Sequence, residues 1–400
     1  MKNISKKLLL FVCLGVGVQF FASAQKSGGL PPLNQNRQPN SSEKLIVKIG
    51  HVGPTSGPIA HLGKDNENGA IMAIEELNAA GTKIGGKAVT FVLLAEDDAA
   101  DPRQGIAVAK KLADAKVAGV IGHLNSGTSI PASKIYSDAG IPQISPSATN
   151  PKYTRQGFKT TFRVVGDDFQ LGIRMGKFAV ATLQDKAVAV VDDRTAYGQI
   201  VADAFIKGVE AAGGKIVARE FTTDRATDFR SILTRIRDVN PDIVFFGGMD
   251  YVAGPMLKQM KSMGINSNFM GGDGICSTEM STLAGNAAGN DQVFCAEAGG
   301  VQGEAKAGMD NFKAKFKTKF GVDVQVYAPY VYDATKLMVA AMVRAGSAEP
   351  ANYLPVLANT TNYIGVTGPI TFDEIGGIKN AAFTLKTIRG GQLVTLAVIR

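Results

Sequence analysis

The 400-residue sequence predicts an α/β fold made of two doubly wound, parallel-sheet lobes. Three observations lead there. Strand-length runs alternate with amphipathic helical stretches from Leu45 onward. The strand runs are almost continuously apolar, as in a sheet buried under helices on both faces. The alternation runs to Ser147 and restarts at Lys186, as two separate units would.

Residues 45–52 (LIVKIGHV) form the first apolar strand. Residues 64–81 predict an amphipathic helix, with Ile71, Ile74 and Leu77 on one face and Gly81 as its stop. Residues 89–98 are a strand, and Asp101-Pro102 caps a helix that runs through Ala115. A strand over 117–124, a helix over 127–140 and a strand over 141–147 complete the first unit. The second unit reads as strand 186–193, helix 196–214, strand 215–221, helix 229–241, strand 242–249 and helix 253–264. A further strand and loop follow over 268–274. The tail, 381–400, alternates around Gly390-Gly391 and predicts a β-hairpin.

The start of the chain sets the compartment. Lys2, Lys6 and Lys7 precede an apolar run over 8–21 and then Ala22-Ser23-Ala24. A membrane span needs roughly 20 apolar residues, and this run is shorter and broken by Gly15, Gly17 and Gln19. It predicts a cleaved secretory signal over 1–24. Val12 is too large for lipoprotein processing at Cys13. Residues 25–43, polar and rich in Pro and Gly, predict a flexible leader.

Lys and Arg number 43 against 35 Asp and Glu, a formal charge of +8. Losing the three signal lysines reduces it to +5, and Cys13 leaves with them. The remaining Cys276 and Cys295 would lie in an oxidising compartment and predict a disulfide closing a loop of about 20 residues. Three histidines and three cysteines are too few for an elaborate metal cluster, and a mean hydropathy of +0.05 excludes a polytopic membrane protein. The lysines of 306–319 read as a solvated helix face. They lack the aromatic platforms that single-stranded nucleic acid would use, so nucleic acid is not an expected partner.

In sheets of this kind, sites lie just past the carboxyl ends of the strands. The first-unit loops there offer hydroxyls and helix-start amides, which favour an anion: Ser126 with Gly127, then Ser147, Ala148 and Thr149. The second-unit loops offer Asp250 and Asp273, either of which could hold an ammonium group, and Tyr197, whose ring could cover it. One wall suited to an anion and the other to a cation fits a small zwitterion. Enzyme signatures are missing. Gly122–Ser129 has Thr128 where a phosphate loop needs lysine, no G-x-G-x-x-G follows the first strand, and no G-x-S-x-G elbow occurs. His51, His61 and His123 lack metal-ligand spacing and read as structural, and no cofactor is implied.

The segments IGHVGPTSGPIAHLG, VIGHLNSGTSIPASKIYSDAGIPQISPSATNP, DDRTAYGQ, FFGGMD, FMGGDG, YAPYVYDA and TGPITFDE occur in that order. In them the chain resembles the periplasmic branched-chain amino acid (Leu/Ile/Val) binding proteins of ABC transporters, the type I periplasmic binding proteins. The resemblance covers the chain from about Leu45 to its end. It implies two lobes joined by three crossovers near 166, 297 and 371. The N-terminal lobe would be 44–166 plus 298–371, and the C-terminal lobe 167–297 plus 372–400. It further implies that Ser126, Ser147 and Thr149 hold the ligand's carboxylate and amine, that Tyr197 closes from the second lobe, and that Asp273 accepts the ammonium where a glutamate is common. Met249 replaces a common cleft tyrosine and Leu62 a residue that is often aromatic. Both would line an apolar side-chain pocket. Ala100 and Asn125 occupy the positions of a first-lobe disulfide found in some members, so a Cys276–Cys295 bridge would be a different one, in the second lobe.

The expected protein is thus a monomeric periplasmic receptor, not an enzyme, that delivers an aliphatic amino acid to a membrane-embedded ABC permease. Another amino acid, an amide or a small organic acid as cargo remains open, as does a sensor-coupled role.

Overall fold

The computed structural model describes residues 44–301, 303 and 305–399. The expected signal (1–24) and leader (25–43) lie outside the described residues. The first part of the chain runs β1 (Leu45–Gly53), α1 (Ala60–Ala79), β2 (Lys83–Ile84), β3 (Lys87–Asp97), α2 (Pro102–Asp114), β4 (Gly119–Gly122), α3 (Ser126–Asp138), β5 (Gln143–Ser145) and β6 (Thr161–Arg163). These strands build a six-stranded sheet in the order β2-β3-β1-β4-β5-β6. All its pairings are parallel except β2 with β3.

The chain then leaves this sheet and continues through α4 (Asp168–Ala181), β7 (Ala187–Asp192), α5 (Ala196–Ala211), β8 (Lys215–Phe221), α6 (Arg230–Asp238), β9 (Ile243–Gly247), α7 (Asp250–Ser262), β10 (Asn268–Gly271), α8 (Glu279–Ala284) and β11 (Val293–Glu297). It returns to the first sheet's flank as α9 (Ala305–Phe320), α10 (Ala328–Ala345) and α11 (Pro350–Ala358), with α9 and α10 packed on α1. A small ribbon, β12 (Tyr363–Gly365) with β13 (Gly368–Ile370), precedes the hairpin of β14 (Phe383–Arg389) and β15 (Gln392–Ile399). The hairpin extends the second sheet, whose order is β15-β14-β11-β10-β9-β7-β8. That sheet is parallel from β8 to β11 and antiparallel at β11–β14–β15.

Local chemistry explains the boundaries. Asp101 accepts from the Arg103 and Gln104 amides and Pro102 starts α2, as expected from the sequence. Asp167 caps α4 through Gln170 N–H, and Thr195 caps α5 through Gly198 N–H. Gly346, in the left-handed region at φ 65°, ends α10. α1 begins at Ala60, four residues before the expected Lys64, because the turn at Gly57 (φ 81°) already sends the chain into the helix. β4 is buried along its whole length, and so is β9, as strands between two helical layers must be. Ile49, Ile121 and Ile144 anchor the core of the first sheet, and Val190, Phe245 and Met270 that of the second. Phe205 of α5 stacks on Phe245 with centroids 3.9 Å apart. Among the described residues no helix is long and apolar enough to cross a membrane.

Candidate functional site

The carboxyl ends of both sheets meet around one small cavity of about 20 Å³. From the first sheet, Leu124, Asn125 and Ser126 come from the β4–α3 turn and Ser147 and Thr149 from the loop after β5. From the second, Tyr197 stands in the first turn of α5, Met249 just before α7, and Asp273 and Gly274 just after β10. Tyr327, at the start of α10, completes the wall. Drug-sized ligands occupy sites of roughly 300–1,000 Å³, and this cavity is far smaller. A larger hollow lies at the opposite end of the first sheet, around Leu45, Lys48 and Lys87, but none of its polar side chains is buried.

The first wall is prepared for an anion. The first amides of a helix have no partner within it and carry partial positive charge. α2, α4 and α5 cover theirs with a capping side chain, whereas Asn125 at the start of α3 makes no such bond. The Asn125 side-chain carbonyl is itself buried and unpartnered. Ser126 Oγ accepts from Asn150 N–H at 3.2 Å, and Ser147 Oγ donates to Leu124 C=O at 3.0 Å, so both hydroxyls are held in place. Arg163, fully buried, clamps the loop from behind by donating to Ala148 C=O (3.3 Å) and Asn150 C=O (3.0 Å).

The second wall is prepared for a cation. Asp273 is buried, and its two carboxylate oxygens accept from Tyr197 Oη (2.8 Å) and Tyr327 Oη (2.7 Å). Burial pushes the Asp273 carboxyl up to about 6, against the pull of the two hydroxyls. Burial, reinforced by the Asp273 charge, holds both phenols well above their usual range, so they act as donors. Asp168, the first residue of α4, is fully buried, and neither of its carboxylate oxygens has a well-formed hydrogen bond. Its amide donates to Thr149 C=O at 2.9 Å, which fixes it behind the cavity. Burial first, and Asp273 second, push its carboxyl well above the usual carboxylate value, with the Thr149 hydroxyl as a partial counterweight. Two desolvated carboxylates whose charges act on one another make a site that a cation relieves.

Of the residues expected from the sequence, Ser126, Ser147, Thr149, Tyr197, Met249 and Asp273 border the cavity. Leu62, Gly127, Ala148 and Asp250 do not. Leu62 is buried in the first turn of α1, Gly127 lies one residue into α3, and Ala148 offers its carbonyl to Arg163. Asp250 accepts from His61 Nε2 at 2.8 Å and from the Ser277 hydroxyl. Sequence reasoning did not single out Tyr327, Asp168 or Arg163. Tyr327 lies in the YAPYVYDA segment and Asp168 in a Gly-Asp-Asp turn, but nothing local connects either to the cavity. Cys276 and Cys295 form the expected disulfide (Cα–Cα 5.4 Å) and tie the end of the Asp273 turn to β11. His123 is buried between Asp98 (2.8 Å) and Tyr136 (3.1 Å), a structural role, while His61 reaches across to the second sheet's side. No group of three or more His, Cys, Asp or Glu among the described residues is placed to hold a metal.

A profile of the family described as "Periplasmic binding protein" matches residues 46–392. The chain belongs to this family. It is a binding protein, not an enzyme. The chain is 36 % identical over 342 residues to a Leu/Ile/Val-binding protein homolog from Brucella abortus, covering 85 % of this chain and 89 % of the relative. It is 35 % identical over 339 residues to a leucine-, isoleucine-, valine-, threonine- and alanine-binding protein from Pseudomonas aeruginosa, with the same coverages of 85 % and 89 %. Among solved structures it is similar to the branched-chain amino acid transporter substrate-binding protein LivJ from Streptococcus pneumoniae in complex with isoleucine. That similarity has a TM-score of 0.80 at 27 % identity and covers 88 % of this chain and 98 % of that one. The leucine-binding protein LivK from Thermotoga maritima gives a TM-score of 0.79 at 27 % identity, with the same coverages of 88 % and 98 %. The two parallel-dominated sheets are thus those of a type I periplasmic binding protein.

Proposed function

We propose that this chain is a periplasmic solute receptor that captures an aliphatic, branched-chain α-amino acid and delivers it to a membrane-embedded ABC permease. The observation that carries this reading is the opposition of an uncapped helix start on one wall to the buried Asp273 carboxylate on the other, across one small cavity, with the buried Asp168 carboxylate behind it. The carboxylate of an α-amino acid meets the α3 amides with Ser126 and Thr149. Its ammonium meets Asp273, with Asp168 behind. Leu124 and Met249 give the side chain an apolar surface and no hydrogen-bonding group beyond a thioether. The names of the relatives support the same ligand class.

The mechanism is a population shift. The lobes are 44–166 plus 298–371 and 167–297 plus 372–400, and the chain passes three times between the sheets, after β6, β11 and β13. Only the closed arrangement makes both sets of ligand contacts, so ligand favours closure by its differential affinity. The mature chain starts after Ala24, acts as a monomer and needs no nucleic acid. The test is mass spectrometry of the denatured, freshly purified protein, followed by a thermal-shift screen of amino acids and small organic acids. Leucine, isoleucine or valine should co-purify and raise the melting temperature. A shift with an amide or aromatic acid and none with an aliphatic amino acid would refute the ligand class.

A further inference from the structure

His61 and Asp250 come from opposite sides of the cleft. His61 lies in the first turn of α1, which packs on the first sheet, and Asp250 opens α7, which follows β9 of the second. His61 Nε2 is 2.8 Å from Asp250 Oδ2, with the histidine 20 % exposed and the aspartate fully buried. The Ser277 hydroxyl donates to the same Oδ2, while Oδ1 is buried without a partner. A buried carboxylate with one oxygen unpartnered is under-compensated, and a cationic partner is what such a group lacks. Asp250 makes no contribution to the cavity wall, so this pair has a role other than ligand contact.

We infer that His61 and Asp250 form a proton-operated latch on the closed cleft, which holds the ligand longer when His61 is cationic and releases it sooner when His61 is neutral. His61 acts here as a positioning residue for closure. The inference rests on the receptor reading above and adds a regulatory step to it.

The surroundings of His61 favour the charged form. Burial works against it, but the hydrogen bond and charge of Asp250 outweigh burial, with Glu279 of α8 and Asp65 of α1 adding to them, and the imidazole is held above its ordinary value. Opening the cleft removes Asp250 and Glu279 and returns His61 toward that ordinary value. The sign follows: the closed form binds the proton more tightly. Its extra stability is complete below the ordinary histidine pKa and is lost as pH rises through the raised one. Two other cross-cleft bonds, Asn150 Nδ2 to Ala196 C=O and Thr278 Oγ1 to Gln325 Oε1, contain no titrating group. Asp273 is the opposing influence. Its carboxyl, near 6, is half-protonated at that pH and more so below it, which weakens the grip on the ammonium. The latch is therefore read between about pH 7 and 9, above most of that loss.

The experiment compares the mature full-length wild type with His61→Gln, which keeps a neutral donor and cannot titrate. Bound radiolabelled leucine is chased with excess unlabelled leucine across the window, and the scattering radius of the unliganded protein is measured over the same pH range. Wild type should release leucine roughly three- to tenfold faster at the alkaline end, with the unliganded protein expanding in parallel. His61→Gln should vary less than about twofold in release and keep a constant radius. Parallel pH profiles in the two proteins overturn the latch. If leucine binds neither protein, the ligand reading falls, and the pH dependence of the radius alone decides the latch.

Discussion

Replacing Asp273 with asparagine tests the cation wall directly. The substitution preserves shape and keeps one acceptor: Tyr197 and Tyr327 donate to different carboxylate oxygens at 2.8 and 2.7 Å, so one phenol must turn and accept from the new amide. What disappears is a buried negative charge opposite the proposed ammonium. Leaving one member of a buried ion pair unmatched costs about 3–5 kcal/mol. Asp168 remains behind the cavity and keeps part of the negative potential, so the cost should fall at the lower end. At ~1.4 kcal/mol per decade, affinity for leucine should drop by roughly two orders of magnitude. Adding Asp168→Asn should exceed the product of the two single effects, because each carboxylate covers for the other. Isothermal titration calorimetry with leucine reads the loss. 4-Methylpentanoate, which keeps the carboxylate and lacks the ammonium, serves as the control and should bind the variant no more weakly than the wild type. A leucine affinity within about threefold of wild type would refute the assignment.

Three further outcomes follow from the same geometry. Asp168→Asn should stabilise the unliganded protein at neutral pH by about 1–3 kcal/mol, since a buried carboxylate only partly offset by the Thr149 hydroxyl is removed. The native Asp168 pKa is raised, so the folded state takes up its proton more readily than the unfolded chain; the advantage of the variant should shrink as pH falls and vanish below the ordinary carboxylate range, which melting curves across pH will check. Replacing Cys276 and Cys295 with serine should cost roughly 3 kcal/mol by the loop-entropy relation, measured by urea unfolding, with leucine affinity falling as the Asp273 turn loses its tie to β11. Gly198→Ala should destabilise the fold and weaken ligand binding together, because a Cβ there would lie 2.4 Å from Gly247 C=O and 2.2 Å from Asp193 Oδ1, forcing the α5 turn that carries Tyr197 to move.

Much of this architecture was legible in the sequence for a physical reason. β4 and β9 are uninterrupted apolar runs, β1 is broken only by Lys48 and His51, and α2 announces itself with an Asp-Pro cap. The elements that escaped notice lack such signals. β6 is three residues long, too short for a period. α10 is buried on nearly every face, so its apolar residues form no stripe. Both belong to stretches whose place depends on where the chain crosses between sheets. The cavity divides in the same way. Ser126, Ser147, Tyr197 and Asp273 stand just past strand ends, where the rule for doubly wound sheets directs attention. Asp168 arrives on a helix after a crossing, and Tyr327 sits 54 residues from the Asp273 oxygen it serves. Only the folded chain brings them there.

The two tyrosines on Asp273 carry a consequence for how closure and ligand grip are linked. Tyr197 belongs to the second sheet's side, while Tyr327 opens a helix packed on the first, and its loop is pinned by four backbone amides donating to Asp65 of α1. The Tyr327–Asp273 bond therefore joins the two sides of the cleft at the carboxylate that would receive the ammonium. A ligand drawing on that carboxylate must share it with a phenol from each side, so the grip on the cargo and the seal between the lobes rest on the same two oxygens.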